Sequence, residues 1–484
     1  MKRILALLLG LLLLLSVCSC SGAGGKGGSS DGAGNGEYVD PKLDFGGRDI
    51  LIANQEARQK MHMLFVIDAE ETDDTLNAAI WESNQRVQQK FNFTLKEDLF
   101  PQGTWEEMWT DHAVYLLRNF MSGDDVFDVV FYAPNQYPDL INNGYLYDLS
   151  DFEQLHLDQP WWDTQLNEDL TINDRLYMSS GPINLMAYDS MACLVFNKDI
   201  ILANQLEMPY DIVREGKWTI DKLNELATEC KNQGSDPHWW ILTGQGGTSV
   251  YGIGMHRDFP SSFLTSAGIS FLSEKDGEYD LAVGTTDDFY LALDKLKPLF
   301  THCEQGGSAG GDCSGSANNI RAYFREGRAA FCMVSTIEAF GLRDSEIDFG
   351  FLPLPKLNEE QEKYITDVME RTSFVCIPTA SSDPENVASM LDALAYDRYK
   401  NVVPVYYDSY ITYKGVRDEE SLEMLEIMTE GRTMNPGIAY GLCLELVVQD
   451  ISWNFPSDSI ASLIASKEST VNDYIDEFIA NNFN

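Results

Sequence analysis

The residue types that usually carry chemistry are present but not in working arrangements. Six histidines (His62, His112, His156, His238, His256 and His302) are scattered, none at metal-ligand spacing, and Met61-His62-Met63 is a single soft-ligand triplet. Gly-x-Ser-x-Gly occurs only inside Gly-rich stretches, at Gly28 to Gly32 and Gly306 to Gly310, and Gly-x-Gly-x-x-Gly only at Gly22 to Gly27, none of them between a predicted strand and helix as an elbow or dinucleotide turn requires, and no P-loop or His-Glu-x-x-His occurs. The sequence therefore offers no nucleophile, phosphate cradle or metal-hydrolase signature, and no cofactor or metal is expected. With 76 Asp+Glu, neighbouring carboxylates arise by chance, and an acid/base pair cannot be read from their spacing. What recurs is an aromatic ring beside a hydrogen-bonding group: Tyr132 with Asn135 and Gln136, Trp161-Trp162-Asp163, Tyr188-Asp189, Trp239-Trp240, Tyr251, and Trp453-Asn454. Sugars need that pairing, because their C–H faces pack on rings while their hydroxyls require directed partners once water leaves. Any one pair also fits ordinary packing; the repetition points to saccharide binding.

The elements that would carry these groups alternate. Ile50 to Ala53 reads as a buried strand, and 75–91 as a helix with Leu76, Ile80, Val87 and Phe91 on one face. Phe93 to Leu95 is a second strand, Thr104 to Phe120 a second helix opened by Thr104 and Glu107, and Val126 to Tyr132 a third strand. Strand-helix-strand order implies a largely parallel sheet, with ligands at the carboxyl ends of its strands. A second alternation follows: a strand at Leu194 to Phe196, a helix after Trp218 capped by Thr219, a helix in 281–300, a strand at Gly327 to Val334, an extended Phe349 to Pro355 and a strand at Phe374 to Pro378. The last hundred residues read as mostly helical.

Composition narrows the class. The chain has 484 residues and a formal charge of −42, which repels phosphate backbones, so nucleic acid is excluded as a partner of the body. Its 24 Phe, 22 Tyr and 9 Trp are too many for an acidic disordered chain. Lys2 and Arg3 precede an apolar run from Ile4 to Val17, too short to span a bilayer, which reads as an export signal. Ser21 to Gly36 is a Gly-rich flexible tether. Of the later cysteines, Cys193, Cys230, Cys332 and Cys376 sit among apolar neighbours as core residues, whereas Cys303 and Cys313 flank a Gly-rich loop that a disulfide would pin.

A cysteine after the apolar run, preceded by a small residue and followed by the tether, resembles the lipobox of bacterial lipoproteins; on that resemblance Cys20 is the lipidated residue. Further along, Ser122-Gly-Asp-Asp-Val-Phe-Asp-Val-Val-Phe131, Gly144-Tyr-Leu-Tyr-Asp-Leu149, Arg175-Leu-Tyr-Met178, Leu194-Val-Phe-Asn-Lys-Asp-Ile200, Trp218-Thr-Ile-Asp-Lys-Leu223, Phe324-Arg-Glu-Gly-Arg-Ala-Ala330 and Asp348-Phe-Gly-Phe-Leu-Pro-Leu-Pro-Lys356 resemble family 1 of the extracellular solute-binding proteins of bacterial ABC importers, which includes maltodextrin-binding proteins. Leu157-Asp-Gln-Pro-Trp-Trp-Asp163 is similar to a subgroup of the same family.

The resemblance implies an α/β, two-lobe periplasmic-binding-protein-like fold of type II, each lobe a mainly parallel sheet flanked by helices and joined by hinge crossings. It divides the chain into a signal peptide (1–19), a tether (20–47), one lobe from 48–180 and 334–372, and another from 187–330 and 375–484. Crossings are expected near Gly181 to Asn184, Phe331 to Val334, and Arg371 to Thr372. The ligand positions carried over are Asn54, Gln55, Tyr132, Asn135, Gln136, Tyr188, Asp189, Trp239, Trp240, Ser335, Thr336 and Arg371. Ser335 and Thr336 equally fit the cap of a helix beginning near Glu338, and Arg371 equally fits an ion pair. The implied protein is a monomer on the outer face of the cell membrane, held there only by its lipid. It binds a small molecule, a saccharide, without chemistry and passes it to ABC permease subunits. A secreted glycan-active enzyme and a binder of a non-sugar solute are the alternatives.

Overall fold

The computed structural model describes residues 38–55, 65–66, 74–100, 105–123, 127–133, 139–232, 248–255, 260–303, 317–369, 372–408, 418–443, 446, 450–455, 457 and 459–483. The signal segment, Cys20 and Cys313 lie outside them, as does the side chain of Cys303. Among the described residues no helix is long and apolar enough to cross a membrane.

The strands in chain order are β1 (Asp49–Gln55), β2 (Thr94–Phe100), β3 (Val129–Tyr132), β4 (Ala192–Asn197), β5 (Tyr251–Gly254) and β6 (Leu272–Lys275). They continue as β7 (Glu278–Leu281), β8 (Ala329–Ser335), β9 (Phe349–Pro353), β10 (Thr366–Asp367), β11 (Phe374–Cys376) and β12 (Arg432–Thr433). Two four-stranded sheets form, ordered β11-β3-β1-β2 and β5-β8-β4-β9, with β10-β12 and β6-β7 as two-stranded pairs. In the first sheet β1 runs parallel to β2 and β3, and only β11 is antiparallel. The second differs from a mainly parallel sheet: β5 and β8 are parallel, but β4 is antiparallel to both β8 and β9. The molecule is thus a two-lobed α/β fold with mixed sheets.

Local chemistry accounts for the flanking helices. Asp74 caps helix Thr75–Phe91 by accepting from the Leu76 and Asn77 amides, Asn92 ends it in the left-handed region, and Leu76, Ile80, Val87 and Phe91 are its buried stripe. Thr219 accepts from the Lys222 amide and starts helix Ile220–Cys230, which buries Leu223, Leu226, Ala227 and Cys230. Five cysteines, Cys193, Cys230, Cys332, Cys376 and Cys443, are buried free thiols.

Strand pairing corrects the expected division at two segments. Phe349–Pro353 pairs with β4 of the second sheet, and Phe374–Cys376 pairs with β3 of the first, the reverse of what chain order suggested. Helix Pro384–Asn401 likewise packs on Thr75–Phe91 beside the first sheet. Phe331 to Val334 is no crossing, because β8 lies between β5 and β4 inside the second sheet. The chain passes between sheets after Ser179, which bridges Val375, and again between Val368, which bridges Met191, and β11. A third passage lies between helix Pro384–Asn401 and helix Glu419–Glu430, which packs on β9. At the first passage Gly181 has φ +148, and a Cβ there would meet the Asp163 nitrogen at 3.0 Å and Trp162 Cα at 3.1 Å. Only glycine lets the chain turn that close to Trp162 and Asp163.

Among the described residues the core has two large parts and a small Tyr251–Tyr323 pair. Ile50, Ile52, Val129, Phe131 and Val375 face Val387, Leu391 and Leu394 of helix Pro384–Asn401. On the other face, Ala53, Val130, Tyr132 and Cys376 join a larger cluster that continues through Leu185 and Met191 into Leu194, Phe331 and Phe351 of the second sheet.

Candidate functional site

Where the passages converge, three tyrosines and an arginine meet. Tyr188 lies on the short helix Met186–Asp189, directly after the first passage. Its carbonyl accepts from Thr336 Oγ1 at 2.6 Å, tying it to the end of β8. Its ring centroid is 5.8 Å from Tyr406 and 6.4 Å from Tyr407, which follow helix Pro384–Asn401. The Arg432 guanidinium stacks 4.4 Å over the same ring. Arg432 Nη2 donates to Asp163 Oδ2 at 2.8 Å, and the two side chains are only 11% and 3% exposed. Among the described residues Nε and Nη1 of Arg432 meet no geometrically sound hydrogen-bond partner, although the guanidinium and the Tyr188 side chain also interact by hydrogen bonding. Asp189 is buried and accepts from Tyr406 Oη at 3.0 Å, which fixes that ring. Tyr188 and Tyr407 stay half-buried while Tyr406 is covered.

Burial raises the pKa of Tyr188, Tyr406 and Tyr407, so all three phenols remain protonated donors at neutral pH. Burial is the largest single influence on Arg432 and opposes its charge, but Asp163 together with Tyr188 and Tyr407 outweighs it and the net shift is upward, so Arg432 stays charged beside Asp163. Among the described residues no group of three or more His, Cys, Asp or Glu side chains is placed to hold a metal ion. Ring faces beside fixed donors suit a hydroxyl-rich ligand.

No family model matches the chain, and no curated protein matches it in sequence. Solved structures do match in three dimensions. The galacto-N-biose/lacto-N-biose I-binding protein of a Bifidobacterium longum ABC transporter, in complex with lacto-N-biose, is 14% identical, covers 90% of this chain and 98% of its own, and has a TM-score of 0.58. The maltose-bound MalE3 of T. maritima is 15% identical, with 88% and 100% coverage and a TM-score of 0.53. The GacH receptor of Streptomyces glaucescens, studied unliganded and with acarbose, is 13% identical, with 90% and 98% coverage and a TM-score of 0.52. The chain has the solute-binding-protein fold.

Within that fold the expected site residues separate. Tyr188, Asp189 and Thr336 come together as described. Ser335 is the N-cap residue of helix Thr336–Phe340, and its amide donates to Glu338 Oε2 at 3.0 Å, the capping role. Asn54 turns away to donate to Glu97 Oε1 at 2.7 Å, and Gln55 Nε2 reaches Ser373 Oγ at 3.4 Å beside the second passage. Tyr132 is buried in the core, and among the described residues its hydroxyl has no well-formed hydrogen bond. Asn135, Gln136, Trp239, Trp240 and Arg371 lie outside the described residues. Trp161 and Trp162 are not platforms: both are buried, and both indoles donate to Asp392. Tyr251 is buried against Tyr323.

Sequence reading missed Tyr406, Tyr407 and Arg432. Tyr406-Tyr407-Asp408 repeats the ring-beside-carboxylate pattern of Tyr188-Asp189, which is the signal that could have found it. A hollow of about 360 Å³ opens between Thr75, Ala79 and Glu82 on one side and Val405 and Asp408 on the other, next in sequence to those rings. A larger hollow of about 620 Å³ lies elsewhere, around His156 and Asp392.

Proposed function

We propose that the protein is the exported substrate-binding component of an ABC importer, holding a saccharide between its two lobes and delivering it unaltered to membrane permease subunits. The observation that carries this reading is the meeting of Tyr188, Tyr406, Tyr407 and Arg432 at the passages between the two sheets. The relatives of known structure support it through the ligands in their titles: lacto-N-biose, maltose and acarbose. Strand pairing supports a first lobe of residues 48–180 with 372–401 and a second of 187–369 with 418–430. Closing the lobes on a ligand is a population shift, so binding needs contacts from both. The lipobox-like segment supports anchoring through Cys20 on the outer face of the membrane, with the body a monomer.

Thermal-shift and calorimetric titration with lacto-N-biose, maltose and acarbose tests the reading. A binder raises the melting temperature, with ~2.7 kcal/mol of apparent stabilisation at a hundredfold excess over Kd. Tyr188→Ala weakens that sugar by at least about tenfold, and the recovered sugar is chemically unchanged. Failure across a wider mono- and oligosaccharide panel, or recovery of cleaved sugar, defeats the proposal.

A further inference from the structure

Trp161 and Trp162 are buried against Asp392 and offer no open ring face to a ligand, so their geometry points to another task. Asp392, on helix Pro384–Asn401, is 3% exposed. Its Oδ1 accepts the indole N–H of Trp161 at 2.7 Å and of Trp162 at 2.9 Å, while Oδ2 is 2.8 Å from His156 Nδ1. Consecutive side chains reach one oxygen only if the backbone between them is turned, and here the Trp162 amide donates to Gln159 O at 2.9 Å. The next amide, of Asp163, donates to Ser180 O at 3.0 Å, at the mouth of the first passage. Asp163 is then held at both carboxylate oxygens: Oδ1 accepts from the Leu166 amide at 3.3 Å, and Oδ2 accepts from Arg432 Nη2 at 2.8 Å. Arg432 stands on β12, which pairs with β10, and β10 runs into Val368, bridged to Met191 at the start of the second sheet. A rigid chain of contacts therefore runs from the first lobe's outer helix to the guanidinium that lies against Tyr188.

We propose that Asp392 is a positioning residue for ligand binding: through Trp161 and Trp162 it fixes Asp163, which holds Arg432 against the Tyr188 ring across the passage between lobes. Removing either end frees the guanidinium to leave the ring and loosens the lobes relative to each other. The inference rests on the proposed saccharide site only for its ligand readout, and its lobe readout does not need a ligand.

The test uses the full chain with dyes attached through azidophenylalanine at the exposed positions Lys96 and Asn204, one on each lobe, read by single-molecule energy transfer without ligand. Asp392→Asn and Asp163→Asn each shift or broaden the inter-lobe distance distribution in the same way. Asp392→Asn adds nothing further in an Asp163→Asn background, because the two act in series. Trp162→Phe, which keeps the ring and removes one donor, reproduces a weaker form of the shift and serves if Asp392→Asn does not fold. If wild type binds maltose, each variant weakens it about tenfold, the equivalent of ~1.4 kcal/mol. Variants that melt earlier but leave both the distance distribution and maltose affinity unchanged overturn the proposal, as do shifts that simply add in the double variant. Absence of maltose binding in wild type bears on the saccharide reading, and the distance arm then decides this one alone.

Discussion

His112 illustrates how one side chain ties the fold to pH. It is buried on helix Trp105–Ser122 with no partner for Nε2 among the described residues, its ring 5.5 Å from Phe100. Burial pushes its pKa down from 6.5 to about 4, against the opposing pull of Asp98, whose carboxylate is also bonded by Tyr115. The folded protein keeps the ring neutral while the unfolded chain takes up a proton below about pH 6.5. Stability is therefore fully present above that pH and is lost as pH falls toward about 4, by about 2–3 kcal/mol at pH 4.5. Urea unfolding of wild type and His112→Leu at pH 7.5 and 4.5 checks this: the variant loses less than wild type on acidification by that amount, and parallel losses rule the idea out. The same residue scale limits what the sequence reveals. Tyr188-Asp189 and Trp161-Trp162-Asp163 look alike as strings, yet one ring faces its neighbours' rings and the other two point into a carboxylate 230 and 231 positions away. Adjacency gives the residue type, and only the distant partner gives the direction.

At the scale of elements, strands and helices were legible because period-two and 3.6-residue patterns and cap residues are local. Helix Thr75–Phe91 and helix Ile220–Cys230 have the expected buried faces. The partner of a strand is not local, so chain order alone could not tell that β9 pairs with β4 and β11 with β3, nor that β4 runs antiparallel to both its neighbours. The network that joins elements was invisible for the same reason. Glu97 on β2 accepts from Asn54 Nδ2 and from the Phe65 and Val66 amides at 2.9 and 2.8 Å. Arg398, buried on helix Pro384–Asn401, donates to Phe65 O at 3.2 Å, to Asn84 Oδ1 at 2.9 Å and to Ile183 O in the first passage. Its guanidinium lies 4.2 Å over the Phe65 ring, and burial lowers its pKa to about 10, so it stays charged at neutral pH. Arg398→Gln leaves two carbonyls and the Glu97 charge without that cation, a loss of about 3–5 kcal/mol. Arg398→Lys recovers little of it, since an ammonium cannot span three separated acceptors in one plane. Denaturant midpoints of the two variants provide the measurement; a loss under about 1 kcal/mol would mean that the network contributes nothing particular.

For the whole molecule the dominant quantity is the charge of −42. Two lobes carrying excess carboxylate repel each other, and the closure proposed above would bring them nearer, so repulsion would oppose it. A neutral sugar carries no charge, and any salt dependence of its binding then reports on the lobes and not on the ligand. At ~10 mM salt the screening length is about 30 Å and repulsion acts across the molecule, whereas at ~150 mM it falls to about 8 Å and the distant carboxylates stop interacting. On the proposed saccharide reading, affinity therefore improves as salt rises over that range, by roughly twofold to fivefold, or ~0.5–1 kcal/mol of relieved repulsion. Most protein–ligand pairs that depend on complementary charge show the opposite sign, which makes the direction informative. Calorimetric titration at the two salt concentrations, with scattering to follow the radius of gyration, separates the outcomes. Tighter binding at high salt together with a smaller liganded radius is the signature of two acidic bodies closing on a neutral solute. Salt-independent affinity with an unchanged radius would mean that the sugar is held without the lobes approaching, and the floor of Tyr188, Tyr407 and Arg432 would then have to supply the whole of the binding free energy.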